Sequence, residues 1–302
     1  MNDLVLVTGG AGFIGSHLCE RLLARGYRVR VLDNLSYGRR EHVPAGAELV
    51  VGDVADPAAC TAACAGVAGV FHAAAMSRAG PSLTAIEACT QQNIVGTQNM
   101  LVAARDAGAR RFVYSASSTY YGNRPPPHVE TLPGEFLNFY GLSKFVGEEY
   151  CRLFDGVFGL PTVSLRYFNV YGPRQPQTGA YALVLGIFLR RWVDGLTLEI
   201  HGDGSQRRDF VHVRDVADVN IAAFESDLRA TVLNVGTGTS LSIQQLADMI
   251  SPDQRHVERR AGDAVETLAD IARTRALLGW APRVGFAEGL AELKDRMRRG
   301  LE

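Results

Sequence analysis

The chain has 302 residues, 47% of them hydrophobic, and a net charge of −1. That balance excludes a strongly basic nucleic-acid binder and a charge-rich disordered chain, and no apolar run reaches membrane-spanning length. It supplies enough apolar side chains for a large α/β domain with a smaller one appended.

The chain opens on Leu4-Val5-Leu6-Val7, an apolar run suited to a buried parallel strand. Thr8-Gly9-Gly10-Ala11-Gly12-Phe13-Ile14-Gly15 comes next, then Ser16 to Leu23 with helical apolar spacing. A strand, a glycine turn and a helix N-terminus in that order form a pyrophosphate site, because free N–H groups and the helix dipole face the anion. Tyr27 to Leu32 reads as a second strand ending at Asp33. A carboxylate there accepts from a ribose 2′-OH and repels a 2′-phosphate, which favours NAD over NADP. Arg39 and Arg40 lie close by and read more simply as a solvated loop.

Further on, Glu48 to Asp53 reads as a third strand and Val67 to Ala75 as a fourth. Thr84 to Ala107 reads as one long helical stretch, Arg111 to Ser117 as a fifth strand and Thr162 to Tyr167 as a sixth. Repeated βα units of this length predict a Rossmann-type, doubly wound parallel sheet with ligands at the carboxyl ends of its strands. The domain boundaries expected are 1–168 plus about 209–237 for a dinucleotide-binding domain, with 169–208 and 238–302 forming a smaller C-terminal substrate-binding domain. Cys19, Cys60, Cys64, Cys89 and Cys151 are scattered without CxxC pairs or clustered histidines, so they read as reduced small apolar residues and no metal site is expected. With no signal peptide ahead of the first strand, a soluble cytoplasmic protein is expected.

Between the fifth and sixth strands stands Tyr140-Gly141-Leu142-Ser143-Lys144. Residues four apart share one face of a helix, so the phenol and the ammonium become neighbours. A free phenol titrates near ~10, and a fixed cation beside it favours the phenolate and brings it toward useful general-base strength. His72 and His212 read as satisfied strand-end residues with no chemical role.

These motifs, with Leu32-Asp33-Asn34-Leu35, Gly52-Asp53-Val54, His72-Ala73-Ala74-Ala75, Arg166 to Pro173, Gly202 to Val213, Leu233 to Gly236 and Arg260 through Asp270 to Trp280, span nearly the whole chain. The chain resembles the extended short-chain dehydrogenase/reductase family, in its nucleotide-sugar epimerase/dehydratase branch. The resemblance implies NAD contacts at Gly9, Gly12, Phe13, Ile14, Gly15, Asp33, Asn34 and Ala73, with Asp53 and Val54 at the adenine and Tyr140 and Lys144 at the nicotinamide end. It implies Ser117, Tyr140 and Lys144 as the catalytic group. Sugar and nucleotide contacts are implied at Ser117, Ser118, Asn169, Tyr181, Arg208, Arg260, Asp263 and Thr267, with the arginines on the diphosphate and Asp263 on the uridine ribose.

Dehydratases of that branch carry an Asp-Glu pair directly after the active-site Ser/Thr, and decarboxylating relatives keep a glutamate at the second position. Ser118 and Thr119 stand there in this chain. Hydroxyls do that proton chemistry poorly at neutral pH, so epimerisation at C4 of a UDP-hexose through a transient 4-keto sugar is the expected reaction. A 4-ketosugar reductase and a non-catalytic nucleotide-binding protein are the alternatives. Thr267 stands where a bulky Tyr narrows the pocket of some relatives, which suggests tolerance of UDP-GlcNAc and UDP-GalNAc beside UDP-glucose and UDP-galactose. Leu183 and Tyr120 are bulkier than their usual counterparts. The resemblance further implies a homodimer joined through the helices at Thr84–Ala107 and Tyr140–Phe154, with neither nucleic acid nor membrane as partner.

Overall fold

The computed structural model describes residues 3–179, 182–258 and 264–301. The first half runs β1 (Leu4–Thr8), α1 (Phe13–Ala24), β2 (Arg28–Asp33), β3 (Glu48–Val51), α2 (Pro57–Cys64), β4 (Gly69–His72), α3 (Ala79–Thr84), α4 (Ile86–Thr90), a π-helical turn at Gln91–Val95, α5 (Gly96–Asp106), β5 (Phe112–Ser117), α6 (Phe139–Phe158) and β6 (Thr162–Tyr167). The second half runs β7 (Asn169–Tyr171), α7 (Val184–Val193), β8 (Leu198–His201), β9 (Arg207–Arg208), β10 (Phe210–His212), α8 (Val213–Glu225), β11 (Thr231–Val235), β12 (Leu241–Ser242), α9 (Ile243–Ile250), β13 (Gln254–Val257), α10 (Ala272–Leu278) and α11 (Phe286–Arg298).

Seven strands form one sheet in the order β11-β6-β5-β4-β1-β2-β3, every neighbour parallel. That is the doubly wound order, with its switch point between β1 and β4. Side chains alternate between the faces, so the sheet carries two cores. Val5, Val7, Val31 and Phe71 pack with α1 and α8 on one side, while Leu6, Leu32, Val70 and Tyr114 pack with α2, α5 and α6 on the other. A third core, built on Phe188, Leu198, Ile200, Leu246 and Leu293, belongs to the smaller lobe.

The sixth strand has the bounds expected of it, and four others are shorter or shifted by a residue or more. The third stops at Val51 because Asp53 Oδ1 accepts from the Ala55 N–H at 2.8 Å, turning the chain. The fourth covers only Gly69–His72, since beyond it the Ala74 N–H leaves the ladder for Thr8 Oγ1 at 3.1 Å. The long helix expected at Thr84–Ala107 is broken: Thr84 ends α3, Ala85 takes φ −127° and ψ 57°, and a π turn then separates α4 from α5. The lobes also interleave more than the expected boundaries allow. Trp280 returns to the core of the main sheet, where its Nε1–H donates to the Asp215 carbonyl at 3.2 Å, and β7 pairs with β10. No helix among the described residues is long and apolar enough to cross a membrane. The five cysteines are buried thiols, and burial pushes each thiol up.

Candidate active site

The carboxyl ends of the strands open into a cleft of about 910 Å³ that reaches from the glycine turn to the smaller lobe. At its first wall, Gly9 sits at φ +70°, and its N–H donates to the Leu32 carbonyl at 2.9 Å. A Cβ on Gly15 would lie 2.1 Å from the Gly9 carbonyl oxygen, so any side chain there would force the turn apart. The N-cap of α1 is Gly12 and no side chain caps it, leaving the helix N-terminus free to receive an anion. Gly9, Gly12, Phe13, Ile14 and Gly15 all line the cleft. These features fit a dinucleotide: a close backbone approach for the pyrophosphate, followed by a carboxylate for the ribose.

That carboxylate, Asp33, lines the same wall. Its Oδ2 accepts from the Ala11 N–H at 3.0 Å and its Oδ1 from Leu35 N–H at 2.8 Å, so the group is fixed in direction and keeps lone pairs for a ribose diol. Arg39 and Arg40 are exposed. Asn34, Val54 and Ala73 line the cleft. The Asp53 carboxylate is held within the protein: Asn34 Nδ2 donates to it at 2.8 Å, Gln92 Nε2 at 3.0 Å and the Ala55 N–H at 2.8 Å. Burial pushes this carboxyl up, and the three donors outweigh it and leave it below the usual range. Asp53 therefore braces Asn34 and Gln92 at the wall. Gln92 lies on the π-helical turn, whose occurrence no apolar periodicity announces.

The chemical centre forms where β5 ends against the first turn of α6. Asn138 caps α6, its side chain accepting from the Gly141 N–H at 2.9 Å. Tyr140 follows, partly buried, and lines the cleft together with Ser117 at the end of β5. Lys144 lies one turn on, buried, as the spacing requires. Its ammonium is anchored on β5. Nζ donates to the Ser115 carbonyl at 2.8 Å and sits 4.9 Å from the Tyr114 ring centroid. Burial draws Lys144 down to about 8. Burial also holds the Tyr140 phenol above its ordinary value, opposed by the Ser117 hydrogen bond and by the positive charge of Arg78. The Lys144 ammonium is held on β5 by the Ser115 carbonyl, and a second cation, Arg78, lines the cleft just before α3 and also favours the phenolate.

Ser118 and Asn169 line the cleft, as does Arg208, whose Nη1 donates to the Arg207 carbonyl at 2.9 Å. Asn169 Nδ2 donates to Thr267 Oγ1 at 3.0 Å and to the Asp209 carbonyl at 3.2 Å, so Thr267 stands directly behind Asn169. Leu183 lines the cleft. Tyr120 is buried instead, its hydroxyl on the Leu132 carbonyl at 3.1 Å and its ring under Arg166, so its bulk is spent in the core. Tyr181, Arg260 and Asp263 lie outside the described residues. At the far end Arg191, His201 and Gln206 also line the cleft, and no local motif had marked them as a group.

The two strand-end histidines differ. His72 is fully satisfied, with Nδ1 2.8 Å from Thr8 Oγ1 and Nε2 3.0 Å from Thr97 Oγ1, and burial draws it down to about 3. His212 Nδ1 accepts from the Arg214 N–H at 3.2 Å, whereas its buried Nε2 has no hydrogen-bond partner among the described residues, so it is only half satisfied.

The family model described as the NAD dependent epimerase/dehydratase family matches residues 5–236. A UDP-glucose 4-epimerase of Mycolicibacterium smegmatis is 37% identical over 97% of this chain and 98% of its own length. Among solved structures, the UDP-N-acetylglucosamine 4-epimerase of Methanobrevibacter ruminantium, in complex with UDP-N-acetylmuramic acid, superposes with a TM-score of 0.94 at 32% identity, covering 99% of each chain. The UDP-glucose 4-epimerase of Thermus thermophilus, in complex with NAD, does so at 0.90 and 35% identity, covering 98% of this chain and 99% of its own. The fold, the glycine turn, the Tyr140–Ser117 pair and these likenesses agree, and the chain belongs to the NAD dependent epimerase/dehydratase family.

Proposed function

We propose that this protein is an NAD-dependent UDP-sugar 4-epimerase. The observation that carries the reading is the meeting of Tyr140, Ser117 and the glycine turn in one cleft, with only the hydroxyls of Ser118 and Thr119 after Ser117. A base for the 4-OH is present, while the carboxylates that elimination or decarboxylation would need are missing from those two positions.

Gly9, Gly12 and Gly15 with the α1 N-terminus would hold the pyrophosphate of NAD, Asp33 its ribose, and Asn34, Val54 and Ala73 the neighbouring wall. NAD, when bound, supplies the ring that takes a hydride from C4 and returns it. Tyr140 Oη takes the proton of the 4-OH and gives it back to the epimeric alkoxide. Ser117 donates to the same oxygen and steadies its developing charge. Lys144 fixes the end of β5 through the Ser115 carbonyl, and the family resemblance supports its reading as a contact of the nicotinamide ribose. Asn169, Arg208 and Arg260 would tether the nucleotide diphosphate and Asp263 the uridine ribose, with Tyr181 a further substrate contact, so that the freed sugar can turn over and present its other face.

The sugar is read as either N-acetylated or not, because Thr267, hydrogen-bonded to Asn169 at the cleft wall, is smaller than the Tyr that narrows the pocket of some relatives. Incubation with UDP-GlcNAc and with UDP-glucose, resolving the C4 epimers, is expected to give both product pairs without net consumption of NADH. A 4-ketosugar reductase would consume it stoichiometrically, and failure on every UDP-hexose would remove the epimerase reading. Thr267→Tyr is expected to lower kcat/KM for the N-acetylated pair about tenfold or more, and to spare the simple hexoses. Equal losses on both would count against Thr267 as the limiting contact.

A homodimer through the α6 side is supported by an exposed apolar stripe. Leu142, Leu153 and Val157, 40%, 46% and 66% exposed, lie eleven and four residues apart on one helical face, beside exposed Leu83 and Ile86. Sedimentation should report two chains per particle, and a monomer at working concentration would dismiss the pairing.

A further inference from the structure

Ser117 is the hydroxyl nearest the chemistry, and a lone serine hydroxyl has no fixed role: it has one proton and two lone pairs and turns to suit its neighbours. Here the neighbours are fixed. Thr119 Oγ1 donates to Ser117 Oγ at 2.9 Å, and the Thr119 N–H donates to the same oxygen at 3.2 Å. The two bonds fill both lone pairs of Ser117, leaving its proton as the one hydrogen-bonding element not yet committed. Tyr140 lines the same cleft beside it, and its phenol feels the Ser117 hydroxyl. The chain also holds Thr119 against the Tyr140 turn. A Cβ on Gly141 would lie 3.0 Å from the Thr119 carbonyl oxygen, so the glycine after Tyr140 is what lets α6 begin this close. Tyr140 is anchored from the other side by its N–H, which donates to Ser82 Oγ at 3.1 Å.

We propose that Thr119 is a positioning residue of the reaction: it occupies the acceptor sites of Ser117, so that Ser117 can only donate, toward Tyr140 Oη and the substrate oxygen between them. The proposal rests on the reading of Tyr140 as the base and adds the device that makes Ser117 a one-way donor. A hydrogen bond donated to the phenolate stabilises it, and one donated to O4 stabilises the alkoxide as the proton leaves. Thr119 exchanges no proton with substrate. Its hydroxyl stands where decarboxylating relatives keep a glutamate, and its work here is orientation. The charged and titratable groups that act on Tyr140 or feel it are Arg78 ahead of α3, Cys89 on α4, Tyr114 on β5 and Tyr167 on β6. None of them makes the bonds to Ser117 Oγ that Thr119 makes.

The test uses Thr119→Val, which keeps the shape and the backbone N–H but removes the donor, and Thr119→Ser, which restores it, both in the intact holoenzyme. Two readouts are needed. The first is the pH titration of the Tyr140 tyrosinate band in the near ultraviolet, with Tyr140→Phe as the blank. The second is kcat against KM for UDP-glucose. In Thr119→Val the tyrosinate midpoint should rise by about one pH unit and kcat should fall about tenfold, with KM little changed. Thr119→Ser should return both toward the wild type. A Thr119→Val titration identical to the wild type, or a Thr119→Ser variant as impaired as Thr119→Val, would overturn the proposal. So would a rise in KM with kcat intact, which would make Thr119 a plain substrate contact. If the wild type turned over no UDP-hexose, the epimerase reading would fail, while the tyrosinate titration would still judge Thr119 on its own.

Discussion

Tyr140→Phe is expected to lower kcat for UDP-hexose epimerisation by about 10²–10⁴-fold, the range a single positioned acid–base group contributes. The substitution removes one oxygen and keeps the ring, so little else should change. The N-cap of α6 is Asn138, the anchor to Ser82 is made by the backbone N–H of residue 140, and both survive. The glycine turn and Asp33 lie on another wall, so the purified variant should retain its NAD. Ser117 keeps its two bonds from Thr119 and loses only the acceptor of its proton. The loss should therefore fall on kcat with KM nearly unchanged, the pattern of an interaction made in the transition state. Single-turnover measurement on NAD-loaded protein separates this from slow product release. Turnover within a few-fold of the wild type would falsify the assignment of Tyr140 as the base.

The elements that sequence reasoning placed well are those whose signal is local. The β1–turn–α1 unit is written in contiguous residues, and Tyr140 and Lys144 were bound to share a helical face once α6 formed. What those residues touch depends on partners far along the chain. Lys144 meets the Ser115 carbonyl on β5, twenty-nine positions away, and the pairing of β5 with α6 decides that contact rather than any spacing within α6. Arg78 precedes a six-residue helix that no periodicity marks, and its influence on Tyr140 exists only because Ser82 of that helix meets the start of α6. Asp53 was matched to the adenine from its motif, and its bonds to Asn34 and Gln92, thirty-nine positions on at the farthest, are what the motif does not announce. Trp280 was assigned with the smaller lobe by its position in the chain, yet a large apolar ring goes where a core has room for it. In each case the residue type was legible and the long-range partner was not.

The largest stability effect is expected one turn beyond Lys144. Glu148 is 3% exposed, and Arg166 on β6 grips it in a two-pronged bond, Nε to Oε1 at 2.9 Å and Nη2 to Oε2 at 2.7 Å. The guanidinium lies 3.5 Å from the Tyr120 ring centroid, and its Nη1 donates to the Tyr121 hydroxyl at 2.9 Å, which in turn donates to Asn234 Oδ1 at 2.7 Å. One ion pair thus joins α6, β6, β11 and the segment after β5, on which Ser117 and Tyr140 both depend. Burial pushes the Glu148 carboxyl up even though the Arg166 fork draws it down, so the pair stands against a real desolvation cost. Glu148→Ala leaves Arg166 buried without its counter-charge, and a loss of about 3–5 kcal/mol in unfolding free energy is expected by urea denaturation. Replacing both partners with methionine removes the stranded charge as well as the bond, so the double variant should be more stable than Glu148→Ala alone. A loss below about 1 kcal/mol for Glu148→Ala would place the strength of this junction in the surrounding aromatic packing. So would a double variant no better than the single one, and the stacking of Arg166 on Tyr120 would then be what keeps α6, and with it Tyr140, in register with β5.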